Sequence, residues 1–540
     1  MANSSSVILD WPDNMFVLPD GRVFITEMWS SRIKLFTPGS GLTEVLAISG
    51  TYNDNVENGL LGLAIPPDFA TTNWVYVFYS RRLSGSNTSA GDGGIAPHAH
   101  ALVRYTFAGG KLTNPKDILL IPRQTARHAA GGMTFNPATG DLYIGTGDDT
   151  YPAADETIYG GRNETSYWLN SLRTSANTND LRGKLLRIRP LPFADSQTPV
   201  PGAGTTYAIP SGNLFAPGTD RTRPEIYTMG HRNPYKFKVD TVSGIGLIGE
   251  VGPDANGDIA SRGSQGHDEF NLVTGPGNYG WPFGIADNQA YTATAGEAYP
   301  VGTKFNMNAL KNISKLNTGL EELPAARSAS GWYNGSGTQK GISSAFGSGS
   351  ETAISGPYYR YDANLVSDVK LPAFFHGKFI VTDWNRNKIW ALEFNSQNLL
   401  SKVTLVYTTV SRPIDLQIGP KGELYVLEFA GPGSYPGPDL SGKLSKLEYT
   451  GTQYAPSTCS QYVFPGAVTS LAASGPDGVR MAGSRLVNLA LIRRIAAPAG
   501  TGLGILYSLS GAKVWEGAVE NGMLDLPASS NGDLRLLRFR

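Results

Sequence analysis

One local pattern dominates the first 450 residues: an alternating apolar run, a turn of Pro, Asp or Gly, then a second alternating run carrying aromatics. It stands at "FVLPDGRVFITE" from Phe16, "LAIPPDFATTNWVYVFYS" from Leu63 and "MTFNPATGDLYIGTGD" from Met133. Looser copies follow from Phe237, Phe374 and Leu416. Period-two alternation on both sides of a tight turn is the signature of a β-hairpin, and nothing between the copies has the 3.6-residue period of an amphipathic helix. About six hairpins with irregular spacing predict an all-β chain built as a six-bladed β-propeller, its blades carrying loops of unequal length. The longest insertions are 82–100, 151–180 and 284–350, rich in Gly, Ser and Asn.

The pattern changes after about residue 450. Residues 451–479 read as a linker. The segment 480–540 carries short alternating runs split by Ser-Gly and Asn-Gly turns, which predict a small C-terminal β-sandwich. The propeller domain is thus expected at 1–450.

Bulk properties narrow the function. Forty-five basic residues balance 45 acidic ones without a block of either sign, which argues against nucleic acid or an anionic membrane as partner. No run nears the roughly 18 apolar residues of a membrane span. One cysteine, Cys459, excludes an internal disulfide framework and a cysteine-built zinc site. The start, "MANSSSVILDWPDNMF", lacks a basic, then apolar leader, so the chain is either cytoplasmic or a mature exported form. G-x-S-x-G, Walker A, H-E-x-x-H and the dinucleotide fingerprint are all missing from the sequence.

Four stretches carry chemistry beyond what folding needs. "RHAAGGMTFNPATGDLYIGTGDD" (127–149) sets His128 before two glycines and ends in Asp148 and Asp149. On these residues alone His128 reads as a strand-capping polar group before it reads as a base. "MGHRNPYKF" (229–237) offers Arg232, whose planar fork suits a carboxylate or oxyanion, and Asn233 before a proline. "GEVGPDANGDIASRGSQGHDEFNLVTGPGNYGWP" (249–282) offers Asp254, Asp258, Asp268 and Glu269 among Gly-rich turns, a mixture of oxygens that suits calcium as well as solvent. "RTSANTNDLRGKLLRIRP" (173–190) ends in a strand with Arg187 and Arg189 on one face.

Taken in order, "ENGLLGLAIPPDF", "HAAGGMTF…LYIGTGDD", "SANTNDLRGKLLRI", "RPEIYTMGHRNPYKF", "GEVGPDA…HDEFN…GNYGWP", "KFIVTDWNRNKIWAL" and "RPIDLQIGPKGELYVLEF" resemble the PQQ-dependent glucose/sorbosone dehydrogenase family over residues 8–450. The resemblance implies a six-bladed propeller that binds PQQ and calcium and oxidises an aldose at C1. It implies His128 as general base, Asp148 and Arg232 beside it, and Glu57, Asn233, Asn385, Arg386 and Arg412 around the cofactor. Gly252 and Pro253 would supply carbonyls to the cofactor's calcium; Asp268, Glu269 and the Tyr279 carbonyl would hold a second, structural calcium. Asn385 and Ile414 depart from the family's cationic pattern, and Arg386 stands next to the first departure. With no C-x-x-C-H haem motif, the electron acceptor is expected to be a separate molecule. The tail "LYSLSGAKVWEG…LDLPASSNGDLRLLRF" resembles type IX secretion sorting domains, which implies a secreted, cell-surface or periplasmic protein whose signal peptide has been removed. Two other readings stay open at this point: a cofactor-free propeller that binds glycan or protein, and a calcium-dependent lactonase working through metal-bound water.

Overall fold

A computed structural model describes residues 8–449 apart from 54–56, 84–97, 126, 151–160, 256, 336–344, 409 and 432–439, and beyond them seven short strands between 471 and 539. Six sheets, antiparallel apart from a short parallel pairing of Ile226–Met229 with Gly277–Asn278 in the third, form the blades of a six-bladed β-propeller. Their first two strands are Pro12–Val17 and Val23–Glu27, Leu60–Ala64 and Trp74–Arg82, Ala130–Asn136 and Asp141–Thr146, Asn233–Val239 and Gly246–Val251, Ala353–Ile354 and Lys378–Asp383, and Pro413–Ile418 and Leu424–Glu428. Five of the six hairpins expected from the sequence are these strand pairs. The stretch from Phe374 differs: Ala373–Phe375 is a 3-10 turn leading into the second strand of its blade, whose first strand lies some twenty residues upstream.

Alternation explains why the blades stack. Val23, Ile25, Leu142, Ile144, Leu186 and Ile188 send every second side chain into one continuous buried core. Where adjacent first strands meet there is no room for side chains. A Cβ on Gly62 would lie 2.2 Å from the Gly131 carbonyl, and one on Gly132 would lie 2.5 Å from the Tyr235 carbonyl. The ring is clasped by an antiparallel bridge between Leu9 and Gly442.

Charge fills the axis. Lys236 Nζ donates to the Asp13 backbone carbonyl at 2.9 Å and pairs with its carboxylate at 3.3 Å, while the Tyr235 hydroxyl donates to the other Asp13 oxygen at 2.5 Å. Lys238 pairs with Asp415 at 2.8 Å, and Asp415 also accepts from the Met15 N–H at 3.0 Å. These residues belong to the first strands of the first, fourth and sixth blades, so the network ties blades that are distant in sequence across the centre.

Arg187 and Arg189 do share a face of Lys184–Pro190, and both pair with Asp141, at 3.2 and 2.7 Å. Of the linker expected at 451–479 only Leu471–Ala473 is described, and it pairs with Leu447–Tyr449; Cys459 lies outside the described residues. In the tail, Ser484–Asn488, Leu534–Phe539, Leu503–Tyr507 and Lys513–Ala518 form one sheet, and Arg494–Ala496 pairs with Met523–Asp525. By internal contacts the chain divides into two compact units, one of 1–359, 377–420 and 425–444, the other of 360–376, 421–424 and 445–540.

Candidate active site

Hairpin topology decides where the candidate residues go. The entry to a blade's first strand and the exit from its second lie at the same end of an antiparallel pair. Glu57, His128, Arg232 and Arg412 precede first strands, whereas Asp148, Gly252, Pro253, Asn385 and Arg386 follow second strands. All therefore gather on one face of the propeller.

His128 sits at the centre of this set. Its backbone is left-handed (φ 49°), its side chain is buried, and Nδ1 lies 2.6 Å from Asp148 Oδ1. Among the described residues Nε2 is buried and has no hydrogen-bond partner. A carboxylate can only accept, so Nδ1 carries the proton toward Asp148 and Nε2 of the neutral ring is left as a lone-pair acceptor. Gly147 lets the two segments meet, because a Cβ there would lie 1.8 Å from the His128 carbonyl.

Asp148 is held on both oxygens. Oδ1 accepts from the Thr150 N–H at 3.1 Å and the Thr150 hydroxyl at 2.8 Å, besides His128. Oδ2 accepts from the Ser171 hydroxyl at 2.7 Å and Trp281 Nε1–H at 2.8 Å. Burial by itself raises this carboxyl; the facing His128 ring, the Arg232 guanidinium and the Ser171 hydroxyl outweigh it and hold the group well below the usual carboxylate range. Ser171 and Trp281 reach Asp148 from 23 and 133 residues away, and no local sequence signal marks that reach.

On the next blade Arg232 is buried; its N–H donates to Glu250 Oε1 at 2.6 Å and its guanidinium to the Val251 carbonyl at 3.2 Å. Asn233 Oδ1 is buried with no partner among the described residues. Glu57 reaches the His128 segment by accepting from the Ala129 N–H at 3.1 Å. The remaining cations face their own loops. Arg386 donates to the carbonyls of Gly347, Asn334 and Gly349 at 2.8, 2.9 and 3.1 Å, and its guanidinium lies 4.5 Å from the Tyr333 ring centre. Asn385 donates to the Thr352 hydroxyl at 2.8 Å. Arg412 donates to the Gly431 carbonyl and covers the Trp384 ring.

The expected calcium ligands separate. Asp268 and Glu269 are successive strand residues and point to opposite faces. Asp268 accepts from the Gly252 and Ala353 N–H groups at 2.9 and 2.6 Å, and burial, with Glu351 and Asp383 nearby, pushes its carboxyl well up. Glu269 accepts from the Ala286 N–H at 2.6 Å and is pushed up to about 8 by burial and by Glu250, its partner across the ladder. Glu250 and Glu269 converge on Asn271 Nδ2, at 3.2 and 2.9 Å, and Asn271 Oδ1 is buried without a partner among the described residues. Tyr279 lies beside them, stacked on His231, which bonds Glu250 at 2.7 Å. Glu250 stands in the "GEVGPDA" stretch but is not among the acids singled out there from the sequence. Among the described residues, no group of three or more His, Cys, Asp or Glu is placed to hold a metal ion.

A family model for "Glucose / Sorbosone dehydrogenase" matches residues 9–307. The chain belongs to the glucose/sorbosone dehydrogenase family. Its relatives include quinoprotein glucose dehydrogenase B of Acinetobacter calcoaceticus, 28% identical over 52% of this chain and 53% of the relative. Aldose sugar dehydrogenase YliI of Escherichia coli is 25% identical over 51% of this chain and 59% of its own. The chain thus spans little more than half the length of these relatives. A Thermus thermophilus oxidoreductase structure described as a glucose dehydrogenase covers 82% of this chain and 98% of its own at 21% identity and a TM-score of 0.51, which supports the shared fold.

Proposed function

We propose that this glucose/sorbosone dehydrogenase family member oxidises an aldose at C1 to the lactone, using PQQ and calcium, with His128 as general base. The observation that carries the reading is the His128 ring: Nδ1 locked on Asp148, Nε2 buried and without a partner among the described residues. A buried acceptor of that kind is costly unless a ligand hydroxyl meets it. The unpartnered Asn233 Oδ1 and the adjoining Arg232 extend the same polar surface. Of these groups the Arg232 guanidinium is the donor that suits the quinone end of the cofactor, while His128 Nε2 and Asn233 Oδ1 can accept from hydroxyls of a sugar. For the cofactor's three carboxylates the fit is thinner, since Arg386 and Arg412 are engaged by loop carbonyls.

Bound PQQ would supply the two-electron acceptor for a sugar hydride. His128 Nε2 takes the C1 hydroxyl proton, and Asp148, kept ionised, stabilises the imidazolium that results. Arg232 presents fixed positive charge, which would stabilise an acceptor oxygen that gains negative charge on taking up the hydride. For the structural calcium expected at Asp268, Glu269 and the Tyr279 carbonyl, Glu250 and a rotated Asn271 amide would add oxygens on the Glu269 side of the strand. No helix among the described residues is long and apolar enough to cross a membrane. We infer export from the sorting-like tail.

The test is direct. Apoprotein given PQQ with calcium should bind the cofactor in calorimetry and reduce an artificial dye in the presence of aldoses. His128→Ala should lower turnover by about 10²–10⁴-fold, the usual worth of a general base, with cofactor affinity nearly intact. Arg232→Ala should weaken both. Absence of binding and of dye reduction would sink the reading.

A further inference from the structure

Asp149, the second acid of the opening motif, and Arg173 and Arg182 of the 173–190 stretch have no part in the reaction above, yet they meet beside the segment that carries His128. Asp149 is fully buried and pairs with Arg123 at 3.0 Å, Arg182 at 2.7 Å and Arg173 at 3.4 Å. It also accepts from the Gln124 N–H at 3.0 Å, and from the Thr125 N–H and hydroxyl at 2.9 and 3.0 Å. Burial would raise its carboxyl; the guanidiniums of Arg123, Arg182 and Arg173 outweigh that and keep it ionised.

Arg123 spends the rest of its fork on the segment that carries the base. It donates to the backbone carbonyls of His128 at 2.9 Å, Arg127 at 2.6 Å and Thr125 at 3.5 Å. That segment needs holding. His128, Ala130 and Asp149 are all left-handed (φ 49°, 51° and 58°), a conformation that is costly for a non-glycine residue. Such strain persists where the surroundings over-determine it. The backbone dihedral of His128 sets the direction of its Cα–Cβ bond, and so decides whether Nδ1 can meet Asp148 while Nε2 faces the ligand side.

We propose that Arg123, fixed by Asp149, is a positioning residue: it locks the His128 backbone so that Nε2 is aimed at the sugar hydroxyl. The proposal rests on the reading of His128 as base. A lysine at 123 keeps the charge but not a planar fork that spans several carbonyls. Arg123→Lys should therefore lower kcat about 100-fold, the scale expected for an ångström of misplacement, with the sugar KM changed less than about 3-fold. Asp149→Asn should act in the same direction, by about 10-fold. Guanidinium ion added to Arg123→Ala should restore part of the lost rate.

A second readout needs no cofactor. In apoprotein NMR, the short His128–Asp148 hydrogen bond should give a downfield Nδ1–H proton signal. That signal should persist in Arg104→Lys, a buried control held by Asp195 on the second blade, and be shifted or lost in Arg123→Lys. An unchanged signal with kcat within about 3-fold of wild type overturns the proposal, as does equal loss in Arg104→Lys. If Arg123→Lys does not fold, Asp149→Asn decides; failure of both to fold would assign the cluster to the fold alone and also overturn it. If wild type proves inactive with PQQ while the signal responds, the positioning role stands and the redox reading fails.

Discussion

Replacing Asp148 with Asn tests the site most sharply, because the two sides of this carboxylate face fixed donors. Thr150 N–H points at Oδ1 and Trp281 Nε1–H at Oδ2, and neither can reverse its polarity. An amide has one accepting and one donating end, so Asp148→Asn must set its NH2 against one of them. With the amide oxygen on Trp281 Nε1–H at the Oδ2 side, the Thr150 hydroxyl turns to accept and NH2 faces His128 Nδ1. The imidazole then has to accept at Nδ1 and carry its proton on Nε2, the wrong tautomer for a base. A wrong tautomer costs about 10⁴-fold in kcat in serine-protease triads, and a similar loss is expected here. The clash with Thr150 N–H costs a further ~1–3 kcal/mol of stability. Adding Trp281→Phe removes the fixed donor at Oδ2, and the Ser171 hydroxyl can turn to accept. The amide is then free to flip and offer its oxygen to Nδ1–H. The double variant Asp148→Asn/Trp281→Phe should be faster than Asp148→Asn alone, although Trp281→Phe alone slows the enzyme. Dye-reduction kinetics on the four proteins decide the matter. A double variant as slow as the product of the single losses, or slower, would refute the tautomer argument.

Gly147→Ala should force the His128 carbonyl away, since its Cβ would sit 1.8 Å from that oxygen; a kcat loss of about 100-fold is expected, and thermal melts should show overpacking of roughly 1–3 kcal/mol or more. Asp148 and Asp149 have folded pKa values below their unfolded ones, so each contributes stability above about pH 4 that is lost as pH falls through the folded value. Urea midpoints of wild type should therefore fall on acidification below about pH 4, and Asp149→Asn should show a shallower acid limb. Without PQQ, chelation should lower the melting temperature of wild type and added calcium restore it, by about 2.7 kcal/mol at a hundredfold excess over Kd; Glu250→Gln/Glu269→Gln should then show no calcium response.

Much of the fold was legible because hairpins announce themselves within a dozen residues: alternation fixes the faces and Gly or Asp marks the turn. The same topology carries Glu57, His128, Asp148, Arg232 and Gly252 to one face without knowledge of any contact. Long-range partners were less visible. Trp281 and Ser171 act on Asp148 through loops whose course no periodicity encodes, and Arg123 ends an ordinary strand. The Phe374 stretch alternates like a strand, yet its Pro372 and the left-handed Gly377 bend it into a 3-10 turn. Asp268 and Glu269 are adjacent in sequence, yet strand pleating sends their side chains to opposite faces, and Glu250 meets Glu269 from the neighbouring strand.

The charged plug along the axis, Asp13 with Lys236 and Lys238 with Asp415, has a kinetic consequence. A propeller whose centre is cemented by salt links is a cup and not a tube. On the proposed dehydrogenase reading, sugar, lactone and electron acceptor would all use one rim, in turn. The acceptor can be served only after the lactone has cleared the mouth, so turnover should follow ping-pong kinetics in which high sugar concentrations block the acceptor's turn.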